Sequence, residues 1–185
     1  MSGLKVDIGC GPHMRDEFDV FVDRYLSPVS RHGGVIRPEA GKRFVMADSE
    51  ALPFKSGAFE YANCANLLEH LEHPGRACEE IMRIAKAGYI ICPGVFDEIF
   101  FGKPYHLWLT MARGSKIWFF RKRDFEDRPF GRAFIDALRP GDRRYLPEMP
   151  ELRVVKEAYL ADRKIWRLFG QPMHWKGSFE WEEVE

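Results

Sequence analysis

Lys5-Val6-Asp7-Ile8-Gly9-Cys10-Gly11-Pro12 is the stretch that decides the fold. A short β-branched run ends abruptly on glycine-x-glycine, as a buried strand does when it turns sharply. Working outward, the same pattern recurs. Asp19 to Val22 is a second run, apolar from Val20, and stops at Asp23-Arg24. Arg43 to Ala47 stops at Asp48, Phe59 to Cys64 is a weaker fourth run, and Tyr89 to Cys92 stops at Pro93-Gly94. Such runs lack inside–outside alternation, which suits strands buried on both faces of a parallel sheet. Between the fourth and fifth runs, residues 74–86 carry a helical period. Pro74 fits the first helical position, Ala77, Ile81, Ile84 and Ala85 share a face, and Gly88 reads as the stop. Residues 65–72 predict another short helix. The alternation of strand and helix gives an α/β sheet.

Two crossovers are unusual. Ten residues separate Gly9 from Val20, close to the lower limit for a βαβ connection. Between Asp23 and Arg43 stand Gly33-Gly34, Pro38 and Gly41 with no helical period. Helices there should be short or absent.

The chain has 185 residues, 45% of them hydrophobic, enough for one domain with a real core. Lys plus Arg and Asp plus Glu both number 28, which argues against chain-wide nucleic-acid binding or an acidic disordered tail. Cys10, Cys64, Cys78 and Cys92 lie in apolar runs without CxxC spacing, so they read as reduced cysteines and not as a zinc site. With no signal-peptide pattern at the N-terminus and no run near the roughly 18 apolar residues of a membrane span, the expected compartment is the cytoplasm. No feature sets the oligomeric state.

Most aromatic residues follow residue 95. His106 to Ala112 and Lys116 to Lys122 flank Arg113-Gly114-Ser115, a hairpin pattern. Residues 124–150 are Arg- and Pro-rich and read as irregular, with a short helix at 131–138. Residues 151–160 and 163–184 are compatible with further strands, or a helix and a hairpin. The expected organisation is one domain over 1–185, with a cofactor-binding half at 1–95 and an acceptor-side extension at 96–185.

In an open parallel sheet, ligands bind beyond the carboxyl ends of the strands. Gly9-Cys10-Gly11, Asp23, Asp48 and Asn63 to Asn66 end successive strands and would meet along one edge. Glycines admit a ligand close to the backbone. An acid after the second strand can accept hydrogen bonds from both ribose hydroxyls, and one after the third can accept from an adenine amino group. Together these describe an adenosine site.

As an ordered set, these residues resemble the class I S-adenosylmethionine-dependent methyltransferases, in the branch with an LPF signature. The resemblance spans residues 4–93. Asp7-Ile8-Gly9-Cys10-Gly11 resembles the first motif, Asp23 the ribose-binding acid, and Asp48-Ser49 the pair beside the adenine. Leu52-Pro53-Phe54 with Phe59-Glu60 resembles the lead-in to the fourth strand. Cys64-Ala65-Asn66-Leu67-Leu68-Glu69-His70 resembles the segment facing the methionine end and the substrate. The resemblance implies S-adenosyl-L-methionine as cofactor, bound by Asp7, Gly9, Cys10, Gly11, Asp23, Asp48, Ser49, Cys64 and Asn66, on a Rossmann-like sheet with shortened early helices and an aromatic C-terminal extension. It departs from the family at Pro12-His13, where a third glycine is usual.

A dinucleotide site is the rival within this fold. It requires G-x-G-x-x-G before a helix that holds a pyrophosphate, and Met14 occupies the place of the third glycine. For the methyl acceptor, His13, Glu69, His70, His73 and His106 are candidate bases, with His106 and His70 preferred as catalytic residues. Glu69-His70-x-Glu72-His73 could also bind metal, but His73-Pro74 reads as a helix entry, and no metal is expected. The expected acceptor is a small molecule or a glycan precursor. Residues 113–144 hold ten Lys/Arg and five Asp/Glu among aromatics, a composition that also suits single-stranded nucleic acid. Without an Asn-Pro-Pro-Tyr type motif after the fourth strand, the small-molecule reading is preferred. A non-catalytic methyltransferase-like subunit that binds a protein partner is the alternative from a different class.

Overall fold

A computed structural model describes residues 3–26, 35–38, 41–94, 105–122 and 170–184. The expectations for 124–150 and 151–160 lie outside the described residues. A six-stranded sheet has the order β3-β2-β1-β4-β5-β8. Its strands are β1 (Lys5–Ile8), β2 (Val20–Asp23), β3 (Arg43–Met46), β4 (Tyr61–Ala65), β5 (Ala87–Pro93) and β8 (Gly170–Lys176). The first five are parallel and β8 is antiparallel to β5. This is the mostly parallel α/β sheet expected of the sequence.

One face is apolar. Val6, Ile8, Val20, Val22, Ala62, Cys64, Ile90 and Cys92 join the core with Ala77, Cys78, Ile81 and Ile84 of helix α1 (Pro74–Ile84). Pro74 opens that helix as expected. The helix closes four residues before Gly88, because Ala85 is already extended and bridges Phe59. Gly88 has a different task, inside β5. A Cβ there would come within 2.3 Å of the Ala62 carbonyl oxygen and 2.7 Å of Trp175 Nε1. The missing side chain lets Trp175 of β8 lie over the strand. Residues 65–72 form a single 3₁₀ turn, Leu68–His70, in place of a helix. After β1 the chain makes turns and no helix until β2, as the ten-residue spacing predicted.

The hairpin is present as β6 (Trp108–Arg113) and β7 (Lys116–Arg121), paired antiparallel. The C-terminal strands part company. β8 completes the large sheet, while β9 (Glu180–Val184) pairs in parallel with β7 to give a three-stranded sheet β6-β7-β9. This small sheet is anchored on α1, where Glu183 accepts from the Gly75 N–H at 3.0 Å. Gly75 is again a position without room, since a Cβ would approach the Trp181 ring to 2.4 Å.

The Leu52-Pro53-Phe54 turn is clamped to α1. Glu80 accepts the Leu52 N–H at 2.7 Å, while Arg83 donates to the Leu52 and Phe54 carbonyls at 2.9 and 2.6 Å. Arg83 also grips Glu80 through two hydrogen bonds, and this contact holds the Glu80 carboxyl below the ordinary carboxylate range. Hydrogen bonds to charged groups contribute about 1.5–3 kcal/mol, less at partly exposed sites. Arg83→Ala should therefore lower stability by about 1–2 kcal/mol, measured by urea unfolding. The sign with pH follows from the lowered value. The Glu80 contribution is fully present above the usual carboxylate range and disappears as pH falls through the depressed folded value. The gap between wild type and variant should close in that acidic window. A constant gap down to pH 3 would mean that the clamp does not operate through the Glu80 carboxylate.

Candidate functional site

β2 lies on one side of β1 and β4 on the other, so the chain reverses its direction of winding between β1 and β4. Ligands bind outside the carboxyl strand ends at such a switch point. A cavity of about 320 Å³ occupies that position. Ile8 and Gly9 from the end of β1, Val22 and Asp23 from β2, and Ala47, Asp48 and Ser49 beyond β3 form one wall. Leu67, His70 and Leu71 after β4, with Leu107 before β6, form the other.

The turn after β1 is built around the Asp23 carboxylate. Gly9 and Gly11 have φ of +70° and +58°, which favour glycine. A Cβ on Gly9 would also meet the Leu67 side chain at 3.0 Å. The Gly9 and Cys10 N–H groups donate to the Val22 carbonyl at 2.8 and 3.1 Å. The Gly11 N–H donates to Asp23 Oδ2 at 3.1 Å, and the Tyr25 N–H to Oδ1 at 3.2 Å. A carboxylate offers about four acceptor positions, so the buried Asp23 keeps capacity for two further donors on the cavity side. Asp48 Oδ1 caps its own turn through the Glu50 N–H at 3.0 Å, and Oδ2 lies 3.4 Å from the Arg24 guanidinium.

Gly9, Asp23, Asp48, Ser49 and His70 thus meet on one cavity, and Gly11 adjoins it through Asp23. The other expected residues stand elsewhere. Asp7 is one residue out of phase with Val6 and Ile8, so its carboxylate sits on the opposite sheet face, where Asn63 donates to it at 2.6 Å. Burial raises the Asp7 carboxyl above its usual value against the pull of Asn63 and Arg15. Cys10 is half-buried and packs against the Met14, Phe21 and Ile36 cluster, off the cavity. Burial first, and then the Asp23 and Asp7 charges, push its thiol up to about 12, so it is a thiol at neutral pH. Cys64 is buried in the core, its thiol pushed well up by burial. Asn66 is exposed with φ +52° and its N–H donates to the Ile91 carbonyl.

Residues not anticipated from the sequence also line the cavity, among them Arg24, Tyr25, Glu72 and Leu107. Glu72 holds Arg121 of β7, which ties the small sheet to the cavity rim. His106 is buried behind the wall, its ring edge-on to His70 at 4.7 Å. Leu107 is placed by its N–H, which donates to the Glu69 carbonyl at 2.8 Å. The Trp108 indole N–H donates to the Leu71 carbonyl at 2.7 Å.

Residues 24–92 match the family model described as a methyltransferase domain. Over that stretch the chain is similar to methyltransferase domains. The matched stretch runs from the residue after Asp23 into β5, and includes the LPF turn and the Glu69-His70 segment. An uncharacterized protein of Methanocaldococcus jannaschii is 30% identical over 105 residues, 56% of this chain and 49% of its own length. A solved S-adenosylmethionine-dependent methyltransferase of Thermotoga maritima is similar at 28% identity, with a TM-score of 0.39 over 57% of this chain and 50% of that one. One from Mesorhizobium loti is 19% identical, with a TM-score of 0.39 over 54% and 49%. The chain spans about half the length of these relatives. Among the described residues, no helix is long and apolar enough to cross a membrane.

Proposed function

We propose that the chain is an S-adenosylmethionine-dependent methyltransferase whose acceptor is a small molecule or glycan precursor. The observation that carries this reading is the buried Asp23 carboxylate at the switch-point cavity, beside a glycine turn that no helix follows. A dinucleotide would need a helix N-terminus there for its pyrophosphate. S-adenosylmethionine has no phosphate to hold. Its adenosine requires acceptors for hydroxyl and amino groups, and Asp23 and Asp48 offer them. A cavity of about 320 Å³ lies in the range of small-molecule sites.

In this reading Gly9 and Gly11 admit the cofactor close to the backbone, Asp23 accepts from the ribose hydroxyls, and Asp48 with Ser49 borders the adenine. Asp7 and Cys10 support the β1 end from behind. Cys64 and Asn66 have no direct contact assigned, since neither borders the cavity. When bound, the cofactor supplies an electrophilic methyl group on a sulfonium sulfur. His70 on the wall, with His106 behind it, forms the acceptor side, and the pair assists loss of the acceptor's proton. The half from residue 96 onward shapes the acceptor side, with Leu107 as its contact.

Calorimetric titration tests the cofactor. S-adenosylhomocysteine should bind the wild-type chain at one site, and NAD should bind at least about tenfold more weakly, a difference of 1.4 kcal/mol or more. Comparable NAD affinity, or no binding of S-adenosylhomocysteine, would overturn the assignment. Loss of the second alone would favour a non-catalytic subunit.

A further inference from the structure

We propose that Glu69, His70 and His106 form a binding site for a divalent ion of the zinc class behind the His70 wall of the cavity. One carboxylate oxygen and one nitrogen from each imidazole lie within 4.8 Å of one another. They come from two segments far apart in sequence, brought together by the hydrogen bond from the Leu107 N–H to the Glu69 carbonyl. Glu69 and His106 are buried, and His70 reaches the cavity wall.

The orientation of His70 adds the decisive point. Its Nδ1 stands 3.4 Å from the Tyr105 carbonyl oxygen. A carbonyl only accepts, so Nδ1 carries the hydrogen in this contact. The opposite nitrogen, Nε2, then faces Glu69 Oε1 at 3.7 Å. In the neutral ring that nitrogen bears the lone pair, so a cation between it and the carboxylate oxygen is offered two donor atoms. An imidazole that donates one N–H to a backbone carbonyl while its other nitrogen binds metal is the usual outer-shell arrangement of a histidine ligand.

The donor set selects a first-row transition ion over magnesium or calcium. Two imidazoles and one carboxylate are the ligands of catalytic zinc, with a fourth position open. Magnesium prefers oxygen and water ligands. Bonds of about 2.0–2.2 Å would bring the three ligand atoms to roughly 3.5 Å apart, so closing on the ion requires movement of about 1 Å. His73, the other histidine of the Glu69–His73 run, takes no part. It is exposed as the helix cap.

The test uses the full chain, stripped with a chelator and titrated with Co²⁺ followed by visible absorption, then with Zn²⁺ in competition. The expected result is one Co²⁺ per chain with d–d bands, displaced by Zn²⁺ and unaffected by a large excess of Mg²⁺. His70→Ala and His106→Ala should each weaken Co²⁺ binding by at least about 100-fold, since loss of a ligand should cost no less than loss of its outer-shell support. Zn²⁺ should raise the melting temperature of wild type but not of His70→Ala, which checks the site without depending on the more buried variant. Absence of a stoichiometric d–d spectrum, as expected if the pair holds a proton instead, would overturn the proposal. So would undiminished Co²⁺ affinity in both variants, or displacement by Mg²⁺. S-adenosylhomocysteine titration of the same stripped samples keeps failure of this site distinct from failure of the methyltransferase reading.

Discussion

Asp23→Ala should bind S-adenosylhomocysteine roughly 10- to 150-fold more weakly than wild type. The estimate takes a loss of about 1.5–3 kcal/mol for hydrogen bonds to a charged group, at 1.4 kcal/mol per factor of ten. The carboxylate sits at the cavity with two acceptor positions committed to the Gly11 and Tyr25 N–H groups. Those two bonds give the substitution a second consequence. Without them the glycine turn loses its anchor, and stability should fall by about 1 kcal/mol even with no ligand present. Asp23→Asn separates the two effects. Its amide oxygen can still accept from one backbone N–H, while its NH₂ group meets a ribose hydroxyl poorly. The asparagine variant should therefore recover part of the stability and little of the affinity. Calorimetric titration and thermal unfolding of all three proteins give both quantities. If both variants bind S-adenosylhomocysteine as wild type does, Asp23 is only the anchor of a turn.

Much of this arrangement was legible because strand ends announce themselves locally. A β-branched run that stops at Gly9, Asp23 or Asp48 fixes both a strand and the edge at which its last residue emerges. The hairpin around Gly114 was legible for the same reason, since both strands and the turn are contiguous. The two C-terminal strands were not. Gly170–Lys176 and Glu180–Val184 are separated by a turn at Gly177-Ser178, and local pattern favours pairing them with each other. Their partners lie far away in sequence, β5 for the first and β7 for the second. The choice rests on Gly88 and Gly75, whose missing side chains admit Trp175 and Trp181. A glycine read alone signals a stop, and only the tertiary contact shows that it is a seat.

The candidate site divides along the same line. Asp7 and Ile8 are neighbours in a motif, yet the strand period of two sends them to opposite faces, and Asp7 meets Asn63 rather than the cavity. Glu69 reads from the sequence as one of several candidate bases, with nothing local to signal its burial. It is fully buried because a single 3₁₀ turn packs it against the segment around His106, thirty-seven residues later. Arg24 and Tyr25 carry no signal of their own, and they line the cavity because Asp23 turns the chain there.

His106→Ala should leave S-adenosylhomocysteine affinity within about twofold of wild type and lower methyl transfer by roughly 10²- to 10⁴-fold, the range for loss of assistance to a proton transfer. His106 is buried on the acceptor side, with its ring against His70 and its neighbour Leu107 on the cavity wall. The carboxylates assigned to the adenosine come from the ends of β2 and β3, at the other side of the cavity. Removing the imidazole therefore alters the setting of His70 without touching the adenosine wall. It also opens space in the core, so His106→Gln is the control that retains polar bulk. Both variants should melt cooperatively, and both should show the loss in kcat with little change in KM for S-adenosylmethionine. The measurement is transfer of a labelled methyl group from S-adenosylmethionine into a small-molecule extract, followed with each variant at equal cofactor saturation. A packing residue would lower the melting temperature and leave the transfer rate of the folded fraction unchanged. Equal transfer by wild type and His106→Gln would remove His106 from the chemistry, and a parallel rise in KM for S-adenosylmethionine would place it on the cofactor instead.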